Sequence, residues 1–124
     1  EPLMRDDIDF YCDEIQVWCF SGKAKIAVKI HSDKGISIYN EQLKLLDKVF
    51  SKSDRKIKEE ADKNVKMAFN LSEKLSKEFD FVRVDWLIYQ NKIYFEELTF
   101  TPYSGFHKFL DKNDNINLGK LLKI

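Results

Sequence analysis

The sequence predicts an α+β domain: an antiparallel β-sheet built from hairpins, with helices packed on one face. Two pairs of β-forming runs, each split by a short polar break, carry the sheet. They are Ile15–Phe20 with Lys23–Ile30 around Ser21-Gly22, and Phe81–Tyr89 with Ile93–Phe100 around Gln90-Asn91-Lys92. Both pairs are rich in β-branched and aromatic residues, the composition of hairpin strands. The main helix is carried by Val65, Ala68, Leu71, Leu75 and Phe79, which recur at helical spacing between about Asn64 and Phe79.

The remaining elements follow in order. Lys23, Lys25 and Lys29 interleave with small and β-branched residues, so the first hairpin should keep one face wet. Ile36–Tyr39 reads as a further short strand. Leu43, Leu46 and Phe50, with Leu45 and Val49 beside them, predict a short amphipathic helix. The polar stretch Ser51 to Lys63 is then a surface loop running into the main helix. After the second hairpin, Pro102-Tyr103-Ser104-Gly105 must turn, and Phe106, Phe109 and Leu110 return apolar surface to the body. Leu118, Leu121 and Leu122 suggest a closing helix.

At 124 residues the chain is expected to be one domain, 1–124, large enough for a core but small for a complete nucleotide-dependent enzyme. It opens on Glu rather than Met, so it is expected to be a piece of a longer protein. The 21 basic and 21 acidic residues cancel without a block of either sign, so the electrostatic footprint of a nucleic-acid binder is missing. No apolar run reaches membrane-spanning length, and no signal peptide is recognisable. Cys12 and Cys19 lack Cys-x-x-Cys spacing, which predicts two reduced thiols and a cytoplasmic location. His31 and His107 have no partner at metal spacing and are given structural roles.

The chemistry sits on the second hairpin. With a three-residue loop centred on Asn91, Asp85 lies opposite Glu97 and Arg83 opposite Thr99, all four on one face. With a two-residue loop, Glu97 slips to the other face and Glu96 opposes Asp85. The first register is the expectation. Two acids directly across a strand pair repel unless a cation separates them. Oxygen-only donors from Asp85, Glu97 and Thr99 suit Mg2+. Arg83, two residues before the first acid, would meet phosphate oxygens held by that ion. The alternative is a solvated hairpin face on which Arg83 pairs with either acid.

Phe81-Val-Arg-Val-Asp85, the acid at Glu97 and Thr101-Pro102-Tyr103-Ser104-Gly105-Phe106 resemble the end of an ATP-grasp domain of the TupA-like, teichuronopeptide-biosynthesis branch. The stretch Glu14-Ile-Gln-Val-Trp-Cys-Phe-Ser-Gly-Lys-Ala-Lys25 is similar to another segment of that family. The resemblance runs, with gaps, from about Glu14 to the C-terminus. Asn91-Lys92 stands where the family pattern has Asn-Gly, Glu96 where a Gly precedes the acid, and Tyr103 where a Gly is usual. Thr99 falls where wider ATP-grasp ligases carry a metal-binding Asn. Whether Thr99 or Glu96 joins the metal stays open at this point.

The resemblance implies an ATP- and Mg2+-dependent ligase. A substrate carboxylate takes the γ-phosphoryl group, and an amine or similar nucleophile then attacks, in cell-surface polysaccharide biosynthesis. This chain would be the metal-binding C-terminal lobe, inactive alone, with the N-terminal lobe outside it. Glu14 would bind the ribose hydroxyls, and Arg83 would serve both nucleotide binding and catalysis. Partners would be the nucleotide and a carboxylate, amine or sugar substrate. One alternative is a non-catalytic sugar- or protein-binding α+β module with Trp18 and Trp86 as contact aromatics. Another is an interaction domain whose exposed hairpin edge pairs with a partner strand.

Overall fold

A computed structural model describes residues 12–48 and 54–100. The described elements are β1 (Asp13–Phe20), β2 (Lys23–Ile30), β3 (Gly35–Tyr39), β4 (Leu45–Leu46), β5 (Arg55–Lys56), α1 (Lys63–Leu75), β6 (Phe81–Tyr89) and β7 (Lys92–Thr99). They form one sheet in the order β4-β3-β2-β1-β6-β7, with β5 attached to β3. Neighbours are antiparallel except for the short β3–β5 pairing. The α+β class with helix on sheet is therefore the observed one.

Both hairpins close through two-residue turns. Ser21 and Gly22 take φ of 52° and 80°, Gln90 and Asn91 of 50° and 62°. Two successive left-handed residues match the twist of the flanking strands, which is why such turns favour Gly and Asn. The predicted three-residue loop around Asn91 is thus not formed. Asn91 is fixed from outside as well: the Asn64 side-chain amide at the start of α1 donates to its Oδ1 at 3.1 Å.

Period-2 alternation gives the sheet two faces. On one, Ile15, Val17, Cys19, Val82, Val84 and Trp86 pack with Val65, Ala68 and Phe69 of α1. The helix is capped by Asp62, whose side chain accepts from Val65 N–H at 2.9 Å. Asp62 also receives the buried Lys29 ammonium at 3.4 Å, which ties the helix start to β2. The indole N–H of Trp86 donates to Ser72 Oγ at 2.8 Å, so a polar pair locks α1 over β6.

That pair explains a rotation of the helix relative to the predicted stripe. Val65 and Ala68 face the sheet as expected, but Phe69 and Ser72 complete the buried face. Leu71 and Leu75 are left outside at 37% and 45% exposure, and Phe79 lies beyond the helix end. The Glu73 carboxylate accepts from Ala24 N–H at 3.1 Å.

The helix predicted around Leu43 and Leu46 is absent. The Asn40 side chain accepts from Gln42 and Lys44 N–H groups at 3.0 Å each, and Leu43 turns left-handed with φ 60°. Leu45 and Leu46 then pair with Tyr39 and Ile38 as a sheet edge. Leu45 packs on the α1 side and Leu46 on the other, so adjacent leucines serve two faces, as only a strand allows. Val49, Phe50 and the residues from Thr101 onward, including His107 and the leucines of the expected closing helix, lie outside the described residues.

Candidate functional site

The second face of the sheet changes character along its length. At one end Trp18, Phe20 and Phe81 pack with Val28, Ile36 and Ile38. At the other the same alternation delivers Gln16 and Glu14 from β1, and Arg83 and Asp85 from β6. Across these strands Gln16 pairs with Asp85 and Glu14 with Leu87. Polar groups therefore replace hydrophobic ones where β1 and β6 run beside β7.

The β6–β7 pairing explains how the acids meet. Near the turn Tyr89 pairs with Lys92 and Trp86 with Phe95, the register of a two-residue loop. Beyond an irregularity at Asp85/Trp86, Asp85 pairs with Glu97 and Arg83 with Thr99. Glu96 is the extra residue, a β-bulge. Both registers weighed from the sequence occur, one on each side of it. Alternation after Phe95 already sends Glu96 to the acidic face, and the bulge keeps Glu97 opposite Asp85 beside it. Among the described residues, one carboxylate oxygen from each of Glu14, Asp85 and Glu96 lies within 4.8 Å of the others. Glu97 lies opposite Asp85 but is exposed and outside that trio, and Thr99 is half-buried opposite Arg83.

Asp85 is the anchor, at 1% exposure. Arg83 grips it with both ends of its guanidinium, Nε to Oδ1 at 2.9 Å and Nη2 to Oδ2 at 2.8 Å. Burial still wins over that pairing. It pushes the Asp85 carboxyl up to about 6, with Glu14 and Glu97 adding to the rise. Glu96 is exposed as a residue, yet its carboxyl end turns in toward the other acids. Desolvation, then the charges of Glu14, Asp85 and Glu97, raise it to about 7.

Gln16 was not singled out from the sequence. It is 5% exposed, and its Oε1 has no hydrogen-bond partner. A signal for Glu96 did exist. Gln-Asn suits a two-residue turn, and reconciling that turn with Asp85 opposite Glu97 requires one extra residue at the Glu96-Glu97 doublet. A polar cleft opens beside the trio, lined among others by Glu14, Glu96, His31, Ser32 and Lys34. The donors are all oxygen and one is an orphaned buried carbonyl, a set that fits a hard divalent cation such as Mg2+.

A family model described as TupA-like ATPgrasp matches residues 4–123. The chain belongs to the TupA-like ATP-grasp family. Neither the curated proteins nor the solved structures yield a match. Membership makes this an ATP-dependent, ligase-type domain, and the family generally uses ATP with Mg2+. For a TupA-like ATP-grasp chain, the FVRVD segment and Glu97 fall on β6 and β7 as the resemblance implied, while Thr101 to Phe106 lie outside the described residues. Trp18 and Trp86, the contact aromatics of the binding-module alternative, are 0% and 6% exposed and are core residues instead. Among the described residues no helix is long and apolar enough to cross a membrane.

Proposed function

We propose that the chain is the metal-binding C-terminal lobe of an ATP- and Mg2+-dependent carboxylate–amine ligase of cell-surface polysaccharide biosynthesis, acting in the cytoplasm. A preceding lobe would complete the nucleotide clamp. The observation that carries this is the buried Arg83–Asp85 pair at the centre of an acidic face, beside Glu97 and Thr99. A guanidinium held on Asp85 is a positive charge placed before the reaction, and it would meet phosphoryl oxygens with little reorganisation when charge develops there. Asp85, Glu97 and Thr99 would hold Mg2+ against the β- and γ-phosphates. When bound, Mg2+ would supply charge neutralisation at the transferring group. Glu14, at the mouth of the cleft, would take the ribose hydroxyls. No side chain here needs to act as a general base, because positioning and charge dominate phosphoryl transfer.

Calorimetric titration of Mg-ATP into the full-length protein and its Asp85→Asn variant tests the proposal. The variant should bind at least about tenfold more weakly, the scale on which lost metal ligation acts. Equal affinity refutes the site.

A further inference from the structure

We infer that Glu14, Asp85, Glu96 and the Gln16 amide oxygen form a divalent-cation site of their own, which loads without nucleotide. It goes beyond the preceding proposal, which draws its metal ligands from Asp85, Glu97 and Thr99, and shares with it Asp85 and Glu14, there given to the ribose.

Three carboxylate oxygens lie within 4.8 Å of one another. Oxygens at opposite vertices around Mg2+ stand about 4.2 Å apart, and around Ca2+ about 4.6 to 5.2 Å. Only one pair of the three can take opposite vertices, and adjacent oxygens around Mg2+ stand about 3 Å apart, so the trio is gathered loosely and would draw in around an ion. The fourth member is independent of the acids. Gln16 pairs with Asp85 across β1–β6 and shares its face with Glu14, two residues earlier on the same strand. Its Oε1 is buried without a partner. A buried amide oxygen without a donor carries an unrecovered desolvation cost, and acidic neighbours on the same face cannot relieve it. A cation satisfies all four acceptors at once. Arg83 does not compete for the whole of Asp85, because each carboxylate oxygen it contacts keeps a second lone pair. The cleft lined by Glu14 and Glu96 gives the ion a way in.

The test is titration of Mn2+ alone into full-length protein at pH 7.5, read by the loss of the free-ion electron paramagnetic resonance signal. Glu14→Gln, Glu96→Gln and Gln16→Leu should each weaken Mn2+ by about tenfold or more. Glu41→Gln, which only loosens a surface pair with Lys25, should change it less than twofold. Melting curves in chelator check that each variant is folded, and the two conservative Glu→Gln changes lie at partly exposed positions. Unchanged Mn2+ affinity in folded Glu96→Gln overturns the inference, as does a folded Gln16→Leu that binds like the parent. The two proposals fail separately. Mn2+ binding lost in Glu96→Gln, in a protein with no affinity for Mg-ATP, keeps this site and sinks the ligase reading. Mg-ATP binding lost only in Asp85→Asn, with Mn2+ indifferent to Glu14 and Glu96, does the reverse.

Discussion

Neutralising Asp85 should make the stability of the metal-free protein less sensitive to pH, although it removes the ion pair with Arg83. The Asp85 carboxyl holds its proton up to about 6 in the folded chain, against about 3.9 when unfolded. A folded pKa above the unfolded one means a contribution that is fully present below about pH 4 and lost as pH rises through about 6. Roughly two pH units at about 1.4 kcal/mol each give about 3 kcal/mol lost by pH 8. Arg83 lowers this figure and burial raises it, and the net rise shows which is larger. Asp85→Asn cannot ionise, so its stability should lack this fall. Its stability relative to the parent should therefore climb by about 3 kcal/mol between pH 4 and pH 8, or roughly 10 °C in Tm for a chain of this size. Urea unfolding of both proteins in chelator, from pH 4 to pH 8.5, measures it. Glu96 titrates in the same sense, so the parent should keep losing stability to about pH 7. Parallel curves, or a variant that falls more steeply than the parent, refute the account of burial outweighing Arg83.

Three further outcomes follow from packing. Trp86→Phe removes the 2.8 Å donor to Ser72 and should cost about 1 to 3 kcal/mol by urea midpoint; adding Ser72→Ala should recover part of it, a coupling that two independent sites would not show. Gly35→Ala would place a Cβ 2.2 Å from Ile57 Cδ1 and should cost about 1 to 3 kcal/mol, reduced when Ile57→Val is made with it. Asp62→Ala removes the cap on Val65 N–H and a partner of Lys29, and should lower stability by about 1 to 2 kcal/mol with loss of helical circular dichroism.

What the sequence disclosed and what it hid divide along a physical line. The hairpins were legible because alternation and turn residues are local. The register of Asp85 with Glu97 was reached through a loop that does not form. A two-residue turn and a bulge together give the same pairing as one three-residue loop, and only the shape of the chain between them tells the two apart. The leucines at 43, 45 and 46 fit a helical period as well as a strand, and the hydrogen bonds of Asn40 decided the matter. The rotation of α1 was hidden for a related reason. Hydrophobicity favours burying Leu71 and Leu75, but the polar Ser72 has a partner in Trp86 that no periodicity reveals. Gln16 carried no signal at all, since a glutamine matters only once its neighbours across the sheet are known.

The bulge invites one last prediction, which separates what the fold requires from what the site requires. Deleting Glu96 from β7 would join Phe95 directly to Glu97. The two-residue turn would then pair Trp86 with Phe95 and Asp85 with the former Glu97 in one continuous register, so both pairings now seen on either side of the irregularity survive. The edge-to-face contact of Trp86 and Phe95, with centroids 5.8 Å apart, is kept. The glutamate that remains follows Phe95, where alternation turns it to the acidic face, and one carboxylate of the doublet is lost with part of the repulsion on that face. The deletion protein should therefore fold with an equal or higher chelator Tm at pH 8 and keep nucleotide-free Mn2+ binding through the remaining glutamate. A deletion that unfolds the chain would mean that the irregular strand is needed to build the sheet. A deletion that folds but no longer binds Mn2+ would mean that a glutamate in regular register cannot stand in for the bulged one.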